Sequence, residues 1–343
     1  MATDEFDIIR RHFNRAELAF SRPGVSLGIG DDCALVAPEP GMALAMSMDL
    51  LQEGVHFLPG ADPYLLGQRT LLVNLSDLAA MGAEPLCFTL GLGLCAQPDV
   101  WLERFSAGLA AVATDHNCPL VGGDLIACGA GGATTVCIQV QGQLPAGAAI
   151  RRDGAHAGDL VFVTGTLGDA AAGLRVLKGE LPESDDESRQ FLADRFFVPR
   201  SRVEVGIALR GQATAAIDIS DGLVSDLGHI LQASGVGAVI ELEHLPLSPA
   251  FLACIESNEQ LPLAVAGGDD YELCFTAPAD HRAAIEASLA ALNVRLSCIG
   301  RIEQQAGLRW TLQNKPVLLR AEGYNHFRRA GSDAENNCMR NDK

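Results

Sequence analysis

The chain has 343 residues, 48% of them hydrophobic, with 25 basic against 43 acidic residues and a net charge of −18. That length predicts two domains with separate cores, and the acidic balance excludes a general binder of nucleic-acid backbones. Lysine occurs only as Lys178, Lys315 and Lys343, and no Gly-Lys-Ser/Thr sequence is present, so a P-loop is excluded and any phosphate must be held by metal, arginine and backbone amides.

The N-terminal Met1-Ala-Thr-Asp-Glu-Phe-Asp7 has no basic and then apolar leader, and the uncharged stretch 125–150 is broken by Gly, Gln, Thr and Pro. A cytoplasmic protein with no membrane partner is expected. Residues 42–48 read as a strand leading into Asp49, and Asp62-Pro63 as the cap and first turn of a helix running to about Gly82. Asn74 and Asp77 share a face of that helix. A strand over 86–94, a helix over 98–116, a short apolar run 119–121 delivering Gly122-Gly-Asp124, and a strand over 133–142 follow. Small and turn-forming residues over 145–154 mark a domain junction.

Beyond the junction come a strand over 160–164, a helix after Leu167, and an acidic run Glu183–Glu187 that reads as solvated surface. A strand over 215–219 ends in Ser220-Asp221-Gly222 and leads into a helix to about Ser234. Strands over 238–242, 271–276 and 296–302 and a helix over 280–292 complete the pattern. Alternating strands and helices in both halves indicate α/β or α+β layers. Domains of 1–145 and 150–328 are predicted, with a disordered tail over 329–343, where apolar periodicity is lost. The ten cysteines include no Cys-x-x-Cys pair and read mostly as small buried hydrophobes in a reducing compartment.

Nine aspartates occur in Gly-punctuated segments: Gly28-Ile-Gly-Asp-Asp-Cys33, Ser47-Met-Asp49, Asn74-Leu-Ser-Asp77, Gly122-Gly-Asp124, Asp218-Ile-Ser-Asp-Gly222 and Gly267-Gly-Asp-Asp270. Carboxylates are hard oxygen ligands suited to Mg2+, which binds through one or two of them together with waters and substrate phosphates. Several such turns suit several ions on a nucleoside triphosphate. A calcium-loop reading of Asp218–Gly222 fails, because the alternating ligand pattern and downstream Glu are missing. Three further features stay open from spacing alone. His56 fits an anion contact or a core histidine, Arg151 and Arg152 fit a phosphate clamp or a solvated surface, and Tyr324 with Phe327 fits ring stacking or a packed terminus.

Five segments in order, Gly28-Ile-Gly-Asp-Asp-Cys-Ala34, Asn74-Leu-Ser-Asp-Leu-Ala-Ala-Met-Gly-Ala83, Val121-Gly-Gly-Asp124, Ile217-Asp-Ile-Ser-Asp-Gly-Leu223 and Gly267-Gly-Asp-Asp-Tyr-Glu-Leu-Cys-Phe275, resemble the thiamine-monophosphate kinase family. With Gly54-Val-His-Phe57 and Gly323-Tyr-Asn-His-Phe327 the likeness spans 5–328. The resemblance implies a two-domain aminoimidazole ribonucleotide synthetase-like fold, with an N-terminal mixed sheet that pairs across a homodimer and a C-terminal α/β sandwich. It implies ATP-dependent phosphorylation of thiamine monophosphate to thiamine diphosphate. It further implies that Asp31, Ser47, the Met48 backbone, Asp49, Asp77, Asp124, Asp218 and Asp221 hold Mg2+. On the same basis Gly123, Asp124, Arg152 and Ser220 contact ATP, and His56, Asp269 and Tyr324 face the thiamine phosphate.

Two positions depart from that family, which often has Thr at Met48 and Glu at Asp269. A methionine side chain is a poor Mg2+ ligand, so only the Met48 carbonyl serves. The competing expectations are another ATP-using synthetase of the same superfamily and a non-catalytic nucleotide or cation sensor. A selenophosphate synthetase should carry a reactive Cys and Lys near its N-terminus, and residues 1–32 contain neither.

Overall fold

The computed structural model describes residues 5–319 except 96, 130, 182 and 183. The 329–343 tail, Tyr324 and Phe327 therefore lie outside the described residues. The N-terminal half opens with α1 (Glu5–Ile8) and a π-helical turn Ile9–Phe13, then a ribbon of β1 (Val25–Leu27) and β2 (Leu35–Val36) flanking the first aspartates. β3 (Met42–Gln52), β4 (Glu84–Leu94), β5 (Leu120–Ala127) and β6 (Thr135–Pro145) form a sheet in the order β3-β6-β4-β5, antiparallel except for β4–β5.

Two helices, α2 (Pro63–Ala80) and α3 (Asp99–Asp115), cover one face of this sheet. Asp62 starts α2 by accepting from the amides of Tyr64 and Leu65, with Pro63 supplying the first-turn φ. α2 is buried almost all round, from Leu66 to Ala80, as expected of a helix packed on several sides. It crosses α3 where glycine meets backbone: a Cβ on Gly67 would strike the Phe105 carbonyl, and one on Gly108 the Tyr64 carbonyl.

The C-terminal half builds a seven-stranded sheet from β7 (Leu160–Thr164), β8 (Ala215–Asp218), β9 (Gly237–Glu241), β10 (Leu273–Ala277), β11 (Leu296–Glu303), β12 (Gly307–Leu312) and β13 (Lys315–Val317). Their order is β13-β12-β9-β11-β7-β10-β8, antiparallel except for β12–β9. The accompanying helices are α4 (Asp169–Leu177), α5 (Asp186–Phe197), α6 (Val203–Leu209), α7 (Leu223–Ser234), α8 (Pro249–Cys254), α9 (Ser257–Ala266) and α10 (Arg282–Ala291). Residues alternate across this sheet as a two-faced strand pattern requires. Val161, Val163, Ile217 and Cys274 pack in one cluster with Leu223, Leu227 and Phe251. Phe162, Ala216 and Phe275 point the other way and join the cluster that contains α2 and the N-terminal sheet.

The expectation of separate cores is thus corrected. One apolar cluster crosses the junction, with Phe162 and Phe275 stacked at 5.2 Å between centroids. Two local expectations also change. Asp49 and Asp124 lie inside β3 and β5 rather than at turns, because each strand runs several residues past the apolar run that announced it. Asp185, Asp186 and Glu187 of the acidic run are exposed, as expected of solvated surface, and Asp185 accepts from the Ser188 amide to begin α5. Cys95 and Cys128, just beyond the paired ends of β4 and β5, form a disulfide that spacing alone concealed.

Candidate active site at the domain junction

Alternation along β3 sorts the Ser47-Met-Asp49 segment by face. Ser47 and Asp49 turn toward α2, whereas Met48 is 62% exposed on the outward face with Leu44, Met46 and Leu50. The Ser47 hydroxyl donates to Asp77 Oδ2 at 2.5 Å, and the Asp49 amide donates to Asn74 Oδ1 at 3.1 Å, so one turn of α2 fixes this part of the strand. Ser76, on the same helix, donates to Asp218 Oδ2 at 2.8 Å across the junction. Asp218 ends β8, and the loop that follows is tied to α7 by the Asp221 amide donating to Asp226 Oδ2 at 3.0 Å.

The carboxyls feel one another. Burial, then the charges of Asp77 and Asp221, push Asp49 up to about 6. Asp218 rises to about 7 through burial, then Asp77, with Asp226 and Asp49 adding to it. Burial also takes Asp226 to about 7, with the Asp221 charge in the same direction and Arg152 against it. Asp77 is raised mainly by burial, opposed by its bond from Ser47 and by Arg152. Arg152 lines a cavity of about 540 Å³ together with Ser47 and Asp77, whereas Arg151 is closed on Asp153 in a bidentate surface pair.

These shifts set the sign of the pH dependence. Above the ordinary carboxyl value of 3.8 the unfolded chain releases these protons first, so the fold binds more protons than the unfolded state up to about 7. The melting temperature of the metal-free protein is expected to fall as pH rises from about 4 through about 7. His116, held below its ordinary value by burial, works in the opposite direction, as do Glu272, Asp99, Asp153 and Asp185, but those depressed carboxyls have largely released their protons by the lower end of the window. A melting temperature that rose steadily across that window would contradict the assignment.

The Asp269 turn adjoins this cluster. The Asp269 amide donates to the Ser220 carbonyl and the Tyr271 amide to the Ile219 carbonyl, both at 2.8 Å. Gly268 permits that approach, since a Cβ there would collide with the Ser220 carbonyl. Beneath the turn, Glu272 is buried, yet the guanidiniums of Arg202 and Arg195 and the Thr164 hydroxyl keep it below its ordinary value. Asp270, left without a role by its spacing, is buried and accepts from the amides of Gly168 and Ala170 at the start of α4. His56 Nδ1 accepts from the Gln52 amide at 3.1 Å, which assigns the proton of the neutral ring to Nε2.

Not every expected ligand gathers here. Asp31 and Asp32 line a different cavity of about 640 Å³ with Gly123 and Asp124. Register explains why: Asp124 aligns with Gly91, Cys137 and Leu50, the outward face, whereas Asp49 aligns with Ile138 and Leu90, the helix face. The two aspartates are also three strands apart, about 14 Å at the usual strand spacing. Among the described residues no three His, Cys, Asp or Glu side chains converge closely enough to cage a metal by themselves. The donor set of hard carboxylate and hydroxyl oxygens still fits Mg2+, which takes few protein ligands and completes its shell with water and phosphate. The sequence reading missed Ser76 and Asp226. Both were visible as polar residues one and five positions from a noted aspartate, without a glycine to mark them.

Two layered α/β halves with a carboxylate cluster at their junction define the AIR synthase-related class. Residues 30–144 match the AIR synthase related protein N-terminal domain, and residues 156–313 match its C-terminal domain. The chain is 44% identical over 328 residues to a thiamine-monophosphate kinase of Salmonella typhimurium, covering 95% of this chain and 99% of that one. A crystal structure of thiamine-monophosphate kinase from Stenotrophomonas maltophilia superposes with a TM-score of 0.80 at 40% identity, covering 87% and 93% of the two chains. AaThiL complexed with AMPPCP and TMP gives 0.74 at 32% identity, covering 85% and 89%. The chain belongs to the thiamine-monophosphate kinase family.

Proposed function

We infer that this protein transfers the γ-phosphoryl group of ATP to thiamine monophosphate, giving ADP and thiamine diphosphate. The observation that carries the reading is the pair of backbone hydrogen bonds joining the Asp269 turn to the Ser220–Asp221 loop. They support it by tying Asp269, which we assign to the acceptor, to the loop of Ser220 and Asp221, which we assign to the phosphates, beside Asp49, Asp77 and Asp218. AaThiL complexed with AMPPCP and TMP supports the same pairing of ligands.

In this reading Arg152 and Ser220 contact ATP from the junction, Gly123 and Asp124 contact it from the cavity they share with Asp31, and His56, Asp269 and Tyr324 contact thiamine monophosphate. Asp31, Ser47, the Met48 carbonyl, Asp49, Asp77, Asp124, Asp218 and Asp221 hold Mg2+. When bound, Mg2+ neutralises charge on the transferring phosphoryl group. Arg152 adds a positive charge on the same side, and the Nε2–H of His56 is a donor for the acceptor phosphate. No side chain has to remove a proton, because a phosphate monoester with a second pKa of about 6 is already mostly dianionic at neutral pH. The chain's task is to hold two anions in line. ATP chiral at the γ-phosphorus, incubated with thiamine monophosphate, is expected to give thiamine diphosphate with inverted configuration. Retention would rule out direct transfer, and a lack of thiamine diphosphate would rule out the acceptor.

The outward face of the N-terminal sheet supports a homodimer. Leu44, Met46, Met48 and Leu50 leave a row of exposed apolar side chains on β3, the kind of patch that marks an interface. Pairing that face would also set Asp124 against the partner's sheet, since Asp124 shares it. The unaltered protein is expected to sediment as a dimer and Leu44→Glu/Met46→Glu as a monomer; a double variant that stayed dimeric would place the interface elsewhere. Among the described residues no helix is long and apolar enough to cross a membrane, and we assign the reaction to the cytoplasm, where ATP is supplied.

A further inference from the structure

Arg69 is a cation in the middle of α2, 1% exposed. Its Nη2 donates to Asp269 Oδ1 at 2.5 Å, and its Nη1 donates to the Phe196 carbonyl. Its guanidinium carbon stands 4.2 Å from the centroid of the Phe196 ring and 5.9 Å from that of Tyr271, while Nε has no hydrogen-bond partner among the described residues. The group is thus clamped by two rings and a carbonyl, and its direction is not set by Asp269 alone.

Asp269 is anchored through its backbone. Its φ is +70° and that of Tyr271 is +50°, conformations that L residues hold only when the surroundings enforce them. Both amides are committed to the Ser220 loop. The side chain remains 32% exposed, so the carboxylate is reachable by a ligand while Oδ1 is taken by Arg69.

We propose that Arg69 is a positioning residue for Asp269, fixing the reach and orientation of the carboxylate that meets thiamine monophosphate. The inference rests on the assignment of Asp269 to the acceptor site. Because both ends of the pair are anchored, the sum of the two side-chain lengths decides where the carboxylate sits. Asp is one methylene shorter than Glu, and Lys carries its charge on a shorter reach than Arg and without the planar fork. Moving length from the cation to the acid therefore restores the sum.

The experiment is steady-state kinetics on Arg69→Lys, Asp269→Glu, the double variant and Asp269→Ala. Each length variant alone is expected to raise KM for thiamine monophosphate about tenfold, with kcat and KM for ATP within about twofold. Arg69→Lys/Asp269→Glu is expected to return within about threefold of the unaltered enzyme. Additive losses in the double variant would overturn the proposal. So would an Arg69→Lys enzyme that melts lower with an unchanged KM, since Arg69 would then be a strut under Phe196. If Arg69→Lys does not fold, Asp269→Glu decides alone, and an unchanged KM overturns it. An unchanged KM in Asp269→Ala would instead remove Asp269 from the acceptor site, and a lack of thiamine diphosphate from the unaltered enzyme would strike the reaction; either takes this inference with it.

Discussion

Asp49→Asn is expected to lower kcat about 10²–10³-fold, the range found when one preorganised electrostatic group is removed from a reacting centre. The substitution keeps the shape of the side chain, and the bond that locates it comes from the Asp49 amide to Asn74, which an asparagine retains. What is lost is a charge beside Asp77 and Asp221. The same loss relieves repulsion, so the metal-free variant is expected to melt above the unaltered protein at pH 8, by roughly 2–4 °C for each kcal/mol gained. Lower activity with higher metal-free stability separates a functional carboxylate from a structural one. Activity within about twofold of the unaltered enzyme would remove Asp49 from the site.

Gly268→Ala is expected to cost about 10²-fold in kcat/KM for thiamine monophosphate, the order that a 1 Å misplacement carries. The added methyl has nowhere to go, because the Ser220 carbonyl occupies its position. The Asp269 turn and the Ser220 loop must then part, and the bonds at Asp269 and Tyr271 lengthen together. ATP binding measured by calorimetry is expected to change less, since only the Ser220 contact shifts while Arg152 and the carboxylates on β3 and α2 stay in place. Equal losses toward both substrates would show that the contact supports the fold as a whole rather than the acceptor side.

Much of this arrangement was legible along the chain because the relevant signals are local. Asp62-Pro63 announced α2 through cap chemistry, and the start of α7 after Ser220-Asp221-Gly222 was placed by its glycine and its apolar run. The face of α2 that carries Asp77, and the turn from Asp218 to Asp221, were legible for the same reason. The strand ends were not, because β3 and β5 continue through polar residues only by pairing with distant neighbours, Thr135–Pro145 and Glu84–Leu94.

Long-range partners were hidden altogether. Nothing near Arg69 in sequence indicates Asp269, 200 residues away, and nothing near Ser76 indicates Asp218. The face on which Asp124 falls depends on the register of three strand pairs, where a shift of one residue would reverse the answer. Asp270 shows the limit from the other side. It has the same glycine-rich setting as Asp269, yet its carboxylate is buried at the start of α4, because adjacent residues in such a turn point in opposite directions.

The most direct test of the central claim is to follow ADP and thiamine diphosphate together after mixing the protein with Mg-ATP and thiamine monophosphate. The expected result is one ADP for each thiamine diphosphate, little ADP without the acceptor, and loss of both products in Asp49→Asn. ATP binding without either product, or ADP formed at the same rate whether or not thiamine monophosphate is present, would contradict it.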